Sequence, residues 1–229
     1  MISSGKASSV LVCCIDIITE FIFSGFSSLK ALSPFPCRPF DRSRHGLTPG
    51  EGAAAILLMS KDRVKKDHLS PLGRILGWGV SNDATHITAP AQDACGLIMA
   101  IHQALKKANL KEQDIAAINA HGTGTVYNDL MELTAFKQVF GEYKVPVHSV
   151  KGSIGHTMGA AGGIEIALGL KALSKGVIPP TVGFSDPEDG AKGLLSSEPT
   201  EIPGDSLLTT NSGFGGINAA IILAKGERK

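Results

Sequence analysis

"KGSIGHTMGAAGG" (residues 151–163) follows the short apolar run "VPVHSV" (145–150) and sets a single histidine, His156, between glycines before a string of small side chains. An apolar run of strand length, a glycine loop and then a helical pattern is the βα unit of layered α/β folds. The continuation "MGAAGGIEIALGLKALSKG" (158–176) is apolar nearly all round, which predicts a central helix.

The same grammar extends outward. "AQDACGLIMAIHQALKKANL" (91–110) places Ile98, Ile101, Ala104 and Leu105 at helical spacing, with Lys106 and Lys107 in the last turn. "DIAAINA" (114–120) reads as a buried strand, "YNDLMELTAFKQVF" (127–140) as a helix ended by Gly141, and "NAAIILA" (218–224) as the last strand. Upstream, "SVLVCCID" (9–16) reads as a buried strand, 24–52 as loop, "AAAILLM" (53–59) as a strand, 60–73 as a solvated connection and "RILGWGVSND" (74–83) as a strand. "GEGAAAILL" (50–58) and "GGINAAIIL" (215–223) overlay without a gap, which leaves open either an internal duplication or similar local chemistry.

Bulk composition narrows the function. A chain of 229 residues with 43% apolar and 19% charged content suits a folded globular protein rather than a disordered one. Its formal charge of +1 supplies no global field for nucleic acid or an anionic membrane, so a small or protein-borne substrate is expected. The longest apolar stretch, 10–23, contains Asp16 and Glu20 and is too short to span a bilayer. Cys13, Cys14, Cys37 and Cys95 lack metal-binding spacing; no metal or cofactor is expected, and a reducing, cytoplasmic setting fits.

Three loops fall just after strands: "HGTGT" (121–125), "KGSIGH" (151–156) and "NSGFGG" (211–216). Loops at the carboxyl ends of strands build the sites of α/β sheets, so the three are expected to converge. His156 opens a helical segment, where the dipole disfavours its charged form and leaves a neutral imidazole. Such a group suits an oxygen that becomes negative during reaction. Lys151, five residues earlier, can tune the local field.

"PFDRSRHGLTPGEGAA" (39–54), "NAHGTGTVYNDLMEL" (119–133), "SVKGSIGHTMGAAGG" (149–163) and "NSGFGGINAAI" (211–221) together resemble the successive signatures of the β-ketoacyl-[acyl-carrier-protein] synthases. These condensing enzymes have the thiolase-like layered α-β-α fold. The resemblance implies that residues 1–65 are the end of an N-terminal half and 66–229 the C-terminal half. It implies decarboxylative Claisen condensation of an acyl thioester with malonyl carrier protein, in fatty acid or polyketide synthesis. His121 and His156 resemble the histidines that bond the malonyl thioester oxygen. Lys151 resembles the lysine that orients the site, and Glu132 its acidic partner. Thr123 and Thr125 resemble pantetheine contacts, and Phe214, between Gly213 and Gly215, the aromatic gate. An acyl carrier protein is the implied partner, with a homodimer or heterodimer where the first half is present.

The family's nucleophilic cysteine precedes the strand that begins near Val10, so none of the four cysteines matches it. His45 and Leu47 replace the usual acidic and aromatic residues of their motif, and Ser212 replaces a phenylalanine. Two alternatives therefore stand beside the condensing enzyme: a non-condensing decarboxylase or chain-length-factor-like partner, and an inactive remnant.

Overall fold

The computed structural model describes residues 1–226. The chain opens with β1 (Ser9–Asp16), α1 (Glu20–Ser28), β2 (Gly52–Met59) and the short α2 (Lys61–Lys66). β1 and β2 pair antiparallel along their whole lengths, from Ser9 opposite Met59 to Asp16 opposite Gly52. α1 starts where Thr19 caps it, its Oγ1 accepting from the Ile22 N–H at 3.3 Å.

The second unit is continuous in α/β alternation. β3 (Gly73–Asn82), α3 (Cys95–Ala108), β4 (Ala117–Asn119), α4 (Val126–Phe140) and β5 (Val147–His148) are followed by α5 (Lys151–Ile154) and α6 (Ala161–Lys175). The small pair β6 (Val177–Ile178) and β7 (Thr200–Glu201) precedes β8 (Ser206–Gly213) and β9 (Ile217–Lys225). Five strands form one mixed sheet in the order β3-β9-β8-β4-β5. β4 runs parallel to β5 and β8, whereas β9 is antiparallel to β8 and β3.

Alternation along the strands distributes two cores. Ile118, Val147 and Leu208 join Leu97, Ile101, Met131 and Phe136 on the face covered by α3 and α4. Ala117, Leu207 and Leu223 meet Ala172 and Leu173 of α6 on the opposite face. The central helix predicted from 158–176 therefore exists, as a 3₁₀ turn (Met158–Ala160) followed by α6. It is packed on both sides: Gly163 abuts Cys14 and Ala54 of the β1–β2 pair, and Gly169 abuts Leu207 and Leu223 of the large sheet. A Cβ on Gly163 would lie 2.8 Å from the Cys14 Cβ and Sγ, so only glycine fits that crossing without a shift.

Several expectations need correction. β1 is not a buried strand: alternate residues face outward, leaving Leu11 62% and Ile15 67% exposed. Residues 20–28 are helix, because the Thr19 cap starts a turn that the apolar run disguised. The connection 60–73 contains α2, capped by Ser60, whose Oγ accepts from Arg63 N. β4 and β5 are shorter than predicted, since Glu112–Asp114 form a 3₁₀ turn and Ser149 leaves the ladder to bond Thr181. The two glycine-led segments 50–58 and 215–223 occupy matching places, each feeding the second strand of an antiparallel pair.

Candidate active site

The three predicted segments do converge, at the ends of β4, β5 and β8, although residues 211–213 belong to β8 itself rather than to a loop after it. His121 follows β4 and His156 lies between α5 and the 3₁₀ turn. Their rings stand edge to face with centroids 5.0 Å apart. His156 is held by backbone. The His156 N–H donates to Thr48 O at 2.7 Å, and its carbonyl accepts from Gly50 N at 2.9 Å. Gly155 makes this approach possible with φ +73°; a Cβ there would lie 2.9 Å from the carbonyl oxygens of Thr48 and Pro49. The His156 Nδ1 accepts from the Met158 N–H at 3.0 Å, so a neutral His156 carries its proton on Nε2 and presents a donor there.

Both imidazoles are kept neutral. Burial depresses the His121 pKa well below the usual value, and the charge of Lys151 and the neighbouring His156 add to this. Burial, then Lys151, brings His156 down to about 3. The cause differs from the predicted helix dipole: His156 precedes a 3₁₀ turn rather than α6, and desolvation dominates.

Lys151 is not a surface lysine. Its side chain is 1% exposed, and Nζ lies 2.5 Å from Oε1 of Glu165 on α6. This overturns the expectation that Glu132 is its acidic partner. Glu132 instead faces the backbone of the "HGTGT" loop: its carboxyl accepts from the N–H groups of His121 at 2.8 Å and Gly122 at 2.7 Å, from Asn128 at 3.0 Å and from the Thr210 hydroxyl at 3.1 Å. Burial pushes the Glu132 pKa up to about 7 in spite of these donors. Glu165 is likewise raised by burial, against the lowering effect of Lys151.

Thr123 and Thr125 sit together, their hydroxyls 2.9 Å apart. Asp129, fully buried, ties this loop to the "PFD" segment by accepting from Phe40 N at 2.7 Å, Thr123 N at 3.2 Å and Gly124 N at 3.3 Å. Gly213 ends β8, and Gly215, at φ +81°, follows Phe214 in the turn into β9. The Phe214 ring is half exposed and meets Phe26 of α1 with centroids 5.6 Å apart.

Residues 1–63 match the family "Beta-ketoacyl synthase, N-terminal domain" and residues 72–185 match "Beta-ketoacyl synthase, C-terminal domain". The chain belongs to the β-ketoacyl synthase family. The 3-oxoacyl-[acyl-carrier-protein] synthase 2 of Coxiella burnetii is 33% identical over 216 residues, which cover 90% of this chain and 52% of that protein. The solved ishigamide ketosynthase/chain length factor superposes with a TM-score of 0.92 at 32% identity, over 98% of this chain and 55% of the other. A type II polyketide synthase ketosynthase, solved in complex with its acyl-carrier protein and bound to the hexaketide, gives a TM-score of 0.93 at 27% identity, over 99% and 58%. The chain thus spans about half the length of the relatives it matches, and its fold is thiolase-like mixed α/β.

Within this ketosynthase fold two polar residues escaped the sequence reading. Glu165 carried a signal, as the single acid in an otherwise small and apolar helix. Asn211, whose amide touches both His121 (3.2 Å) and Glu165 (2.7 Å), had only its place at the head of "NSGFGG". Among the described residues, no group of three or more His, Cys, Asp or Glu is placed to hold a metal ion, and the four cysteines are free. Cys37 is buried, donates its thiol to Lys151 O at 2.9 Å, and has its pKa raised by burial.

Proposed function

We propose that this chain is the carboxyl-terminal part of a β-ketoacyl-[acyl-carrier-protein] synthase, with residues 1–65 closing the first half and 66–229 forming the second. It supplies the two-histidine site for decarboxylative condensation of an acyl thioester with malonyl carrier protein. Loss of carbon dioxide breaks the malonyl C–C bond and leaves its electron pair as an enolate, with negative charge on the thioester oxygen. The α-carbon then attacks the acyl thioester carbonyl and expels a cysteine thiolate. The observation that carries this reading is the pair of buried neutral imidazoles, one of which offers a backbone-defined Nε2–H donor. A fixed donor in a desolvated site is the device that stabilises developing oxyanions.

Other residues take supporting roles. Lys151, locked to Glu165, sets the field around the histidines, and Glu132 holds the His121 and Gly122 backbone. Thr123 and Thr125 offer hydroxyls to a pantetheine arm. Phe214, flanked by Gly213 and Gly215 and in tilted contact with Phe26, gates the acyl entrance. The partner is an acyl carrier protein, in a dimeric assembly and a cytoplasmic setting. Cys37 and Cys95 are poor nucleophiles: Cys37 is tied to a carbonyl with a raised pKa, and burial likewise raises that of Cys95.

The test is carbon dioxide release from malonyl carrier protein by the 229-residue chain, with intact-mass analysis of the chain after exposure to acyl carrier protein. Decarboxylation without acyl mass on the chain is expected. His156→Ala should lower the rate by roughly a hundredfold to a thousandfold. Undiminished decarboxylation in His121→Ala and His156→Ala overturns the assignment. Acylation of Cys13, Cys14, Cys37 or Cys95 overturns the external nucleophile. No release at all favours the inactive remnant.

A further inference from the structure

Segments far apart in the sequence, 35–38, 43 and 45, 152 and 182–183, enclose a cavity of about 470 Å³. Glycines let their backbones cross. A Cβ on Gly152 would collide with Val182 O, and one on Gly183, at φ +86°, would lie 3.0 Å from Cys37 O. One wall backs onto the support of Lys151, because Gly152 follows it and Cys37 donates its thiol to Lys151 O at 2.9 Å. Neither His121 nor His156 lines the cavity.

The cation of this cavity, Arg38, is fixed by neutral acceptors. Its Nε donates to Gly183 O at 3.2 Å and its Nη1 to Ser43 Oγ at 2.8 Å, and among the described residues Nη2 has no partner. The acids of the neighbourhood are committed elsewhere. Arg42 takes Asp186 and Asp189, and Arg44 takes Glu188 and Asp129. Asp41 accepts from Ser43, Ser185 and Asp186. Ser43 gives its hydroxyl proton to Asp41 at 2.6 Å, so towards Arg38 it only accepts. The other polar lining residue, His45, stands where its motif usually has an acid, and an imidazole thus replaces a charge that would neutralise the guanidinium. Its ring is tilted against that of Phe35, with centroids 6.4 Å apart.

We propose that this cavity is a binding site for a small aliphatic carboxylate, with Arg38 and His45 holding the carboxylate and Phe35, Pro36 and Val182 covering the chain. The chemistry of the lining selects that class. A guanidinium with an unused Nη2 pairs with a carboxylate through charge-assisted hydrogen bonds, and an imidazole N–H adds a further donor. The apolar surfaces call for an organic body on the anion, since concave sites bind by apolar cover with a few placed polar groups. Inorganic phosphate leaves those surfaces uncovered, and an alcohol leaves the guanidinium unpaired. The site makes no use of the histidine pair, so it stands whether or not the proposed condensation does.

Hexanoate titrated into the 229-residue chain labelled with ¹⁵N-histidine tests this, with the His45 signals assigned through His45→Gln. Saturable shifts of the His45 ring signals are expected at millimolar hexanoate. By calorimetry, Arg38→Met should weaken hexanoate binding by about tenfold or more. His45→Asp, which returns an acid to the cavity, should weaken it likewise, and because His45 is exposed this variant decides the matter if Arg38→Met does not fold. Hexanol and inorganic phosphate, each keeping one half of the recognition, should bind more weakly than hexanoate. Hexanoate that leaves the His45 signals unmoved overturns the proposal, including hexanoate that binds on another apolar surface. Wild-type affinity in folded Arg38→Met or in His45→Asp overturns it as well, and phosphate or hexanol binding as tightly as hexanoate overturns the carboxylate assignment.

Discussion

Lys151 and Glu165 meet at 2.5 Å with both side chains 1% exposed, joining the start of α5 to the second turn of α6. Neither charge has water to fall back on, so each depends on the other and on the remaining donors around Glu165. Breaking such a pair from one side leaves a desolvated charge and costs about 3–5 kcal/mol. Lys151→Met alone should therefore lower the free energy of unfolding by that order in urea denaturation. The double variant Lys151→Met, Glu165→Leu should recover most of the loss, because apolar replacement of both partners removes the stranded charge. Equal stability of wild type and Lys151→Met would show that the pair contributes nothing.

The extent to which this arrangement was legible differs by element. α3 and α4 declared themselves through apolar spacing and through Lys106, Lys107 and Gly141 at their ends. α1 did not: "EFIFSGFSS" is rich in aromatic and apolar residues although none of its residues is buried, so periodicity gave no face to read. β1 looked buried because both of its faces are apolar, and only tertiary packing separates Cys14, against Gly163, from the exposed Leu11 and Ile15. The histidines and Lys151 could be found from their loops. The link from Asn211 to His121 crosses 90 residues and the one to Glu165 crosses 46, separations for which no local pattern exists.

His148 gives the fold a pH dependence of known sign. It sits on β5, in register with Asn119, which is itself in register with Thr209. Both ring nitrogens of His148, Oδ1 of Asn119 and Oγ1 of Thr209 are buried without a hydrogen-bond partner within the protein. Burial lowers the His148 pKa from 6.5 to about 4. The unfolded chain thus binds a proton that the folded chain refuses between those values. The contribution of this group is intact above pH 6.5 and is lost as pH falls through that window, by about 3 kcal/mol. His148→Leu should be less acid-sensitive, with a smaller difference between its unfolding free energies at neutral and acid pH. A pH slope identical to wild type would show that His148 is not the titrating group.

Neighbouring glycines of α6 should respond oppositely to a methyl group. At Gly162 a Cβ would meet only the Asn211 amide nitrogen, at an ordinary 3.8 Å. The helix then gains the propensity difference between alanine and glycine, about 1 kcal/mol. At Gly163 the same atom would lie 2.8 Å from Cys14 and 3.1 Å from Ala54. Overpacking of that kind costs about 1–3 kcal/mol and cancels or exceeds the helix gain. Gly162→Ala should raise the thermal midpoint, Gly163→Ala should leave it level or lower, and Gly163→Val should lower it clearly. Stabilisation by Gly163→Val would mean that α6 does not close on β1 as described.

The β1–β2 pair has the pairing of β8–β9 without its surroundings. β8 and β9 are flanked by β4 and β3, and α3 and α4 cover the core on one side of their sheet while α6 packs on the other. β1 and β2 form a two-stranded sheet with α6 on one face. On the other face Leu11 and Leu57 stand directly opposite each other, 62% and 58% exposed, beside Ile15 at 67%. Apolar side chains on a strand pair with open edges are a template for pairing with another polypeptide. The 229-residue chain should therefore self-associate at high concentration and bind a hydrophobic dye. Leu11→Lys with Leu57→Glu puts opposite charges on one cross-strand pair, a pairing worth about 0.2–1 kcal/mol relative to two alanines. Because neither leucine is in the core, the double variant should keep its unfolding free energy within about 0.5 kcal/mol of wild type. Sedimentation velocity should show less association and the dye signal should fall. Unchanged association in a folded double variant would place the sticky surface elsewhere, with the exposed aromatics of α1, Phe21 and Phe23, as the next surface to alter.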